Sequence, residues 1–301
     1  MPEQGTTLET YLAERKALID AALERFFPEA KDGPEIIHQA IRYSLFAGGK
    51  RLRPILCVAA AEAVGGRGQD FLSCACALEM IHTYSLIHDD LPAMDNDDYR
   101  RGMPTSHRVF GEGIAILAGD ALLTEAFHLL SRPEFTRDDD AGKRLQVVNL
   151  IARAAGAAGM VGGQAMDLQG EGKTLAIETI EDMHRRKTGA MLTVSVVSGA
   201  ILAGATAAQA EVLSRYGQDI GLAFQIADDI LNVTGDSALM GKGTGSDISR
   251  GKTTFPALMG LESSRRRLTE LVEGAAAHLA GFDHRAEPLR QIARYIMERN
   301  R

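Results

Sequence analysis

The stretch IHTYSLIHDDLPAMDNDDYRRG, residues 81–102, sets a dense acidic cluster against the end of an apolar helix, and the rest of the chain is read outward from it. Five aspartates, Asp89, Asp90, Asp95, Asp97 and Asp98, fall within ten residues. A helix C-terminus already carries partial negative charge, so carboxylates gathered there call for a compensating cation. Oxygen ligands alone suit magnesium, which takes one or two carboxylates and shares the rest of its shell with waters and substrate phosphates. On an unbroken helix Asp89 and Asp95 would stand about 120° apart at 3.6 residues per turn, and Pro92 breaks the helix between them. Taken alone, the run also fits a solvated acidic loop.

A second cluster weighs against that plainer reading. GLAFQIADDILNVTGD, residues 221–236, places Gln225, Asp228 and Asn232 on one face of an otherwise apolar helix. Carboxylates on such a helix are costly unless paired or metal-bound. His82, Ser85 and Asp89 form a comparable stripe on the earlier helix, so the two helices are expected to face one cavity as a cation clamp.

Short basic motifs stand at glycine-rich breaks. GGKRLRP supplies Lys50, Arg51 and Arg53; Arg100 and Arg101 follow the first acidic run; RRKTG supplies Lys187 beside Thr188; and GKGTGSDISRGKTTFP supplies Lys242 and Lys252. Arginine forks bind phosphate bidentately and lysine binds it as a point charge. Each pair alone also reads as surface solubility. The segment from Gly241 to Gly251 lacks the strand, helix and spacing of a nucleotide P-loop and reads as a lid, with Asp247 open between hinge, cap and salt-bridge partner.

Around these motifs the pattern is helical throughout. Aromatic residues are only 5% of the chain, with no Trp, which disfavours β-rich cores. Leu8, Tyr11, Leu12, Leu18, Ile19, Ala22, Leu23 and Phe26 mark an amphipathic first helix. Gly48-Gly49 and Gly65-Gly66 punctuate two more, and helices are expected over 70–92, 106–131, 140–160, 174–187, 190–204, 207–233, 255–275 and 287–299. No alternating strand stands out. The expectation is an all-α fold, one large helical bundle around a central cavity spanning 1–301 as a single domain, with loops at 95–105, 133–140 and 235–252.

The net charge of -7 argues against nucleic-acid binding. Cys57, Cys74 and Cys76 read as core thiols in a reducing, cytoplasmic setting, and the N-terminus has no signal-peptide pattern. Gly189–Ala210 runs 22 residues without a charge, long enough to span a bilayer, but its serines, threonines and glycines favour a buried helix over a membrane span. His38, His107, His128, His184, His278 and His284 read as surface or satisfied core residues, and Met80, Met94, Met166 and Met191 as core.

In order, GGKRLRP, SLIHDDLPAMDNDDYRRG, GGQAMDL, KTG, FQIADDILNVTGD and GKGTGSDISRGKTTFPAL resemble the motifs of trans-isoprenyl diphosphate synthases, over residues 35–301. The spacing of Asp90 and Asp95, with Tyr84 five before Asp89, is similar to bacterial farnesyl diphosphate synthases. The resemblance implies a helical bundle, usually a homodimer, with Asp89 and Asp95 binding two magnesium ions and Asp228 a third. It implies that Arg100, Lys187, Thr188, Gln225, Lys242 and Lys252 hold an allylic diphosphate. Lys50, Arg53, His82 and Arg101 would hold isopentenyl diphosphate, with the tail ERNR closing over it. Lys187, Thr188 and Gln225 would also stabilise a carbocation. Tyr84 and Ser85 would set product length, with C15 preferred and C20 the alternative. Asn232 stands where the family usually has a carboxylate, and Gln164 and Asp167 read as supporting partners.

Three other readings stay open on the residues alone. A metal phosphohydrolase could use His82, His88 and Asp89 but leaves GGKRLRP and the Asp228 stripe unexplained. A terpene cyclase shares the first acidic motif, yet the positions following Asp228 fit its second motif poorly. A noncatalytic subunit would not require both acidic clusters.

Overall fold

Helix periodicity is realised throughout the computed structural model, which describes residues 7–28, 33–132, 141–234 and 253–298. The first helix, α1 (Leu8–Phe26), starts where the Thr7 side chain accepts a hydrogen bond from the Thr10 N–H, and it buries Tyr11, Ile19, Ala22 and Leu23. It is followed by α2 (Glu35–Leu45), α3 (Leu52–Ala63) and α4 (Leu72–Asp89). Next come α5 (Ser106–Phe110), α6 (Glu112–Ser131), α7 (Ala141–Ala155), α8 (Met160–Gly170) and α9 (Ile177–His184). A π turn over Arg185–Gly189 leads into α10 (Ala190–Leu202) and α11 (Ala207–Thr234). The described chain ends with α12 (Phe255–Met259), α13 (Leu261–His278) and α14 (Glu287–Glu298).

The fold is all-α, with α4 packed on α6, α3 on α10, and α11 between α10 and α13. Small residues let the central helices lie close: in α3 every residue from Ile55 to Ala61 is buried, and α10 buries Met191, Leu192, Val194, Val196 and Ile201. Within the uncharged stretch Gly189–Ala210 only Ala190–Leu202 is a core helix; residues 203–206 break it from the start of α11, and none of residues 203–210 is buried. Two other stretches, Glu112–Ser131 and Ala141–Gly170, are long and apolar enough to cross a membrane by length and composition. The second is broken between α7 and α8 at residues 156–159.

Several expectations need correction. The span 106–131 divides at Gly111, and 255–275 divides at Gly260, because both glycines take positive φ. Helix α4 stops at Asp89, ahead of Pro92, since the residue before a proline disfavours helical backbone. The expected loop 95–105 contains a minimal antiparallel hairpin, Tyr99–Arg100 against Met103–Pro104, turned by Arg101 and Gly102 at positive φ. Two residues per strand are too few for alternation to show in a sequence. Helix α8 was not anticipated, because Gly162, Gly163 and Gly170 lower its intrinsic helicity.

One buried cation ties the early helices together. Arg51, at φ 52 before α3, is 3% exposed. Its Nε donates to Asp20 at 2.9 Å, one Nη to Glu79 at 2.7 Å and the other to the Leu45 carbonyl at 2.8 Å. Removing one partner of a buried pair strands the other. Arg51→Ala is expected to destabilise the fold by about 3–5 kcal/mol, read as a lower denaturant midpoint; a midpoint unchanged from the parent would contradict the network's structural role.

Candidate active site

The two acidic helices meet across a cavity of about 580 Å³. Helix α4 contributes His82, Tyr84, Ser85, His88 and Asp89, and α11 contributes Phe224, Gln225 and Asp228. Arg53, Arg100 and Arg101 form a basic wall, the π turn adds Lys187 and Thr188, and α8 closes the apolar side with Met160, Val161, Ala165 and Leu168. Most residues singled out in the sequence therefore converge on one space.

In each aspartate doublet the two members do different work. Asp89 and Asp228 line the cavity, whereas Asp90 and Asp229 are buried at 3% and 5% exposure. Asp90 accepts from Arg100 Nε at 2.8 Å and from an Arg100 Nη at 2.5 Å, which fixes that guanidinium at the cavity edge. Asp229 accepts the Phe255 N–H at 2.9 Å and lies 3.4 Å from His184 Nε2, so it anchors the start of α12. The sequence reading did not separate these roles; the doubled aspartate is its only trace.

Asp95 reaches Asp89 through the backbone. Its N–H donates to the Asp89 carbonyl at 2.8 Å, satisfying a group left open at the helix end and turning the loop back. Burial pushes the Asp89 carboxyl up to about 6, with Asp95 and Asp90 adding to the shift and Lys187 and Arg100 opposing it. Among the described residues no three His, Cys, Asp or Glu side chains stand close enough to hold a metal by themselves. The carboxylate oxygens of Asp89 and Asp228 on facing helices are the hard donors that magnesium takes, and substrate phosphate oxygens and water would complete its shell.

The opposite wall has the reverse imbalance. Burial holds the Arg53 and Arg101 guanidiniums below their ordinary range, with repulsion from Arg101 adding at Arg53 and repulsion from Arg51 and Arg100 adding at Arg101. Burial, reinforced by Arg53, Arg101 and Arg100, holds His82 well below its usual value, so its imidazole is neutral at pH 7. Two buried donors lining the cavity, Arg53 Nε and Gln164 Nε2, have no hydrogen-bond partner. An anion in this cavity would bring acceptor oxygens to its basic wall and relieve the repulsion.

The π turn brings a third group of residues to the cavity. Lys187 Nζ donates to Asp167 at 2.7 Å and Thr188 Oγ1 donates to Gln225 Oε1 at 2.6 Å. Close backbone approach makes this possible: a Cβ on Gly163 would lie 2.2 Å from the Lys187 nitrogen, and one on Gly221 would lie 2.6 Å from the Gly189 Cα. Extra residues in a helical turn of this kind often mark functional sites.

Lys50 does not line this cavity. It lines a neighbouring space of about 190 Å³ with Lys16, Leu52 and Tyr295, its ammonium 5.9 Å from the Tyr295 ring centre. Phe224 stands between the two spaces, lining both. Lys242, Lys252, Asp247 and the last three residues of the ERNR tail lie outside the described residues.

The polyprenyl synthetase family profile matches residues 34–284. A geranylgeranyl diphosphate synthase of Cyanophora paradoxa is 48% identical over 97% of both chains. A farnesyl diphosphate synthase of Geobacillus stearothermophilus is 47% identical over 98% of both. The apo crystal structure of a FPP/GFPP synthase from Zymomonas mobilis superposes with a TM-score of 0.85 at 40% identity, covering 96% of this chain and 98% of the other. The chain belongs to the polyprenyl synthetase family.

A carboxyl raised from 3.8 to about 6 binds its proton more tightly in the folded state. Its favourable contribution is therefore complete below the unfolded value and lost as pH rises through about 6. Metal-free Asp89→Asn enzyme is expected to be more stable than the parent at pH 8, by on the order of 3 kcal/mol at 1.36 kcal/mol per unit. The gain should shrink towards pH 4. Chemical denaturation at the two pH values checks this; equal stability at pH 8 would show that Asp89 carries no burial cost.

Proposed function

We propose that this polyprenyl synthetase joins isopentenyl diphosphate head to tail to allylic diphosphates, with farnesyl diphosphate (C15) as its main product. The observation that carries the reading is a single cavity with the carboxylates of Asp89 and Asp228 on one side, the guanidiniums of Arg53, Arg100 and Arg101 on the other and an apolar far end. Asp89, Asp95 and Asp228 would hold magnesium, three ions in all. When bound, magnesium neutralises the departing diphosphate of the allylic substrate.

The chain's own residues divide the remaining work. Arg100, steadied by Asp90, and Lys187, steadied by Asp167, hold the allylic diphosphate oxygens. The resemblance gives Lys242 and Lys252 the same role. Arg53, Arg101 and neutral His82 receive isopentenyl diphosphate from the opposite side, with Lys50 at its margin. Thr188 and Gln225 turn oxygen dipoles toward the allylic carbon where positive charge develops. The apolar wall of α8 keeps water from that carbon, and the released diphosphate takes the proton after the new bond forms. No side-chain base is needed.

Tyr84 supports C15 over longer chains. It is 7% exposed and lines the cavity beside Ser85, beyond Asp89 along α4. C20 is the second reading, favoured by the equal likeness to relatives named for either product.

We further propose that the whole chain acts as one cytoplasmic domain and pairs with a second copy through α6 and α7. Ile116, Leu117 and Leu145 are 43%, 53% and 70% exposed there, an apolar face suited to a symmetric partner. Leu117→Glu is expected to halve the mass seen by light scattering; a parent that is already monomeric would refute the pairing.

Purified enzyme with labelled isopentenyl diphosphate and each allylic primer should yield C15 in a magnesium-dependent reaction. Asp228→Ala should lower turnover on the order of 10²-fold or more. Arg53→Ala should raise KM for isopentenyl diphosphate on the order of tenfold while sparing the allylic KM. Tyr84→Ala should shift products from C15 toward C20. Absence of any prenyl product with all primers would sink the reading.

A further inference from the structure

Helix α4 carries Tyr84 and His88 one turn apart, and their rings meet edge to face, with centroids 5.7 Å apart and planes at 84°. Edge-to-face contact is a favoured geometry for such pairs. Both residues line the cavity. His88 is held from its far side by α6: its Nε2 stands 3.0 Å from the Ile116 carbonyl oxygen. A carbonyl only accepts, so Nε2 carries the proton. The same nitrogen lies 3.8 Å from Asp120 Oδ1. Helix α6 comes this near because residue 119 has no side chain; a Cβ on Gly119 would sit 2.2 Å from His88 Nε2.

We propose that His88 is a positioning residue for product length. Anchored on the Ile116 carbonyl in the space left by Gly119, it braces the Tyr84 ring and so stiffens the cavity floor against the growing hydrocarbon. The inference rests on the reading of Tyr84 as that floor. Each added isoprene unit brings apolar surface whose burial drives it against whatever closes the cavity. A tyrosine ring held only by its own side-chain torsions can give way by changing rotamer. Contact with a second ring, itself hydrogen-bonded to a different helix, opposes that movement. The floor is then a unit of Tyr84, His88 and Gly119, built from two helices, and a change on α6 can alter product length without touching α4.

Product sizing on the full-length enzyme tests this, with dimethylallyl and isopentenyl diphosphates as substrates and thermal unfolding to confirm each variant is folded. His88→Ala should raise the ratio of the next-longer product to the parent's main product at least tenfold with Tyr84 in place. Gly119→Ala, which pushes the imidazole off its anchor, should shift the ratio the same way. Tyr84→Ala/His88→Ala should match Tyr84→Ala alone, because a brace without its ring has nothing to hold. If His88→Ala fails to fold, His88→Phe keeps a ring, loses the N–H donor and should give a smaller shift.

An unchanged ratio in folded His88 and Gly119 variants, while Tyr84→Ala lengthens the product, overturns the brace and leaves the floor reading standing. An unchanged product from Tyr84→Ala removes the floor and the brace together. Fully additive effects in the double variant also overturn the brace, since His88 would then be a wall in its own right. Slower turnover with an unchanged ratio counts against it too, as the signature of a disturbed Asp89.

Discussion

Helix ends that carry charge of the wrong sign are the constraint on which this structure depends. The C-terminus of α4 ends in aspartates, and the first turn at the N-terminus of α3 has arginines and no acid. Each opposes the field of its own helix. Protein partners relieve part of this: Arg100 takes up Asp90, and Glu79 and Asp20 take up Arg51. What is left over faces the cavity as Asp89 on one side and Arg53 on the other. The residual charges match a divalent cation and a polyanion, and the two together match a metal-bound diphosphate.

The distribution of labour within each motif explains what could and could not be seen in the sequence. Helical periodicity and the spacing of Asp89, Asp228 and Gln225 were legible because every turn of a helix repeats the same geometry. Arg51 and Arg53 could not be told apart, since the difference lies in backbone: positive φ at Arg51 sends one guanidinium into the core while α3 sends the other into the cavity. Lys50 joined the same motif by composition but points to a different space. Asp90 and Asp229 were hidden for a related reason, because their partners Arg100 and Phe255 are brought to them only by a hairpin and by tertiary packing.

The apolar side of the cavity was the least legible part. Helix α8 is glycine-rich, and its stability comes from what it touches rather than from its own propensity. Gly163 lets it press against the π turn, and that contact brings Asp167 to Lys187. Gly221 does the same for α11, placing Gln225 against Thr188. A sequence pattern reports side chains, and these contacts are made by their absence.

The same logic bears on why relatives of nearly equal identity carry names for different product lengths. The charged end needs many residues from α3, α4, the hairpin, the π turn and α11 to agree at once, so it tolerates little change. The proposed floor would involve few residues, and in packed interiors one methylene or one rotamer decides between fits. On the proposed floor, lengthening the product would require no new chemistry, only a looser closure at Tyr84 and what supports it. Identity averaged over a whole chain is nearly blind to a difference confined to a few residues. The proposed brace places that difference in the packing behind α4, where His88 meets α6.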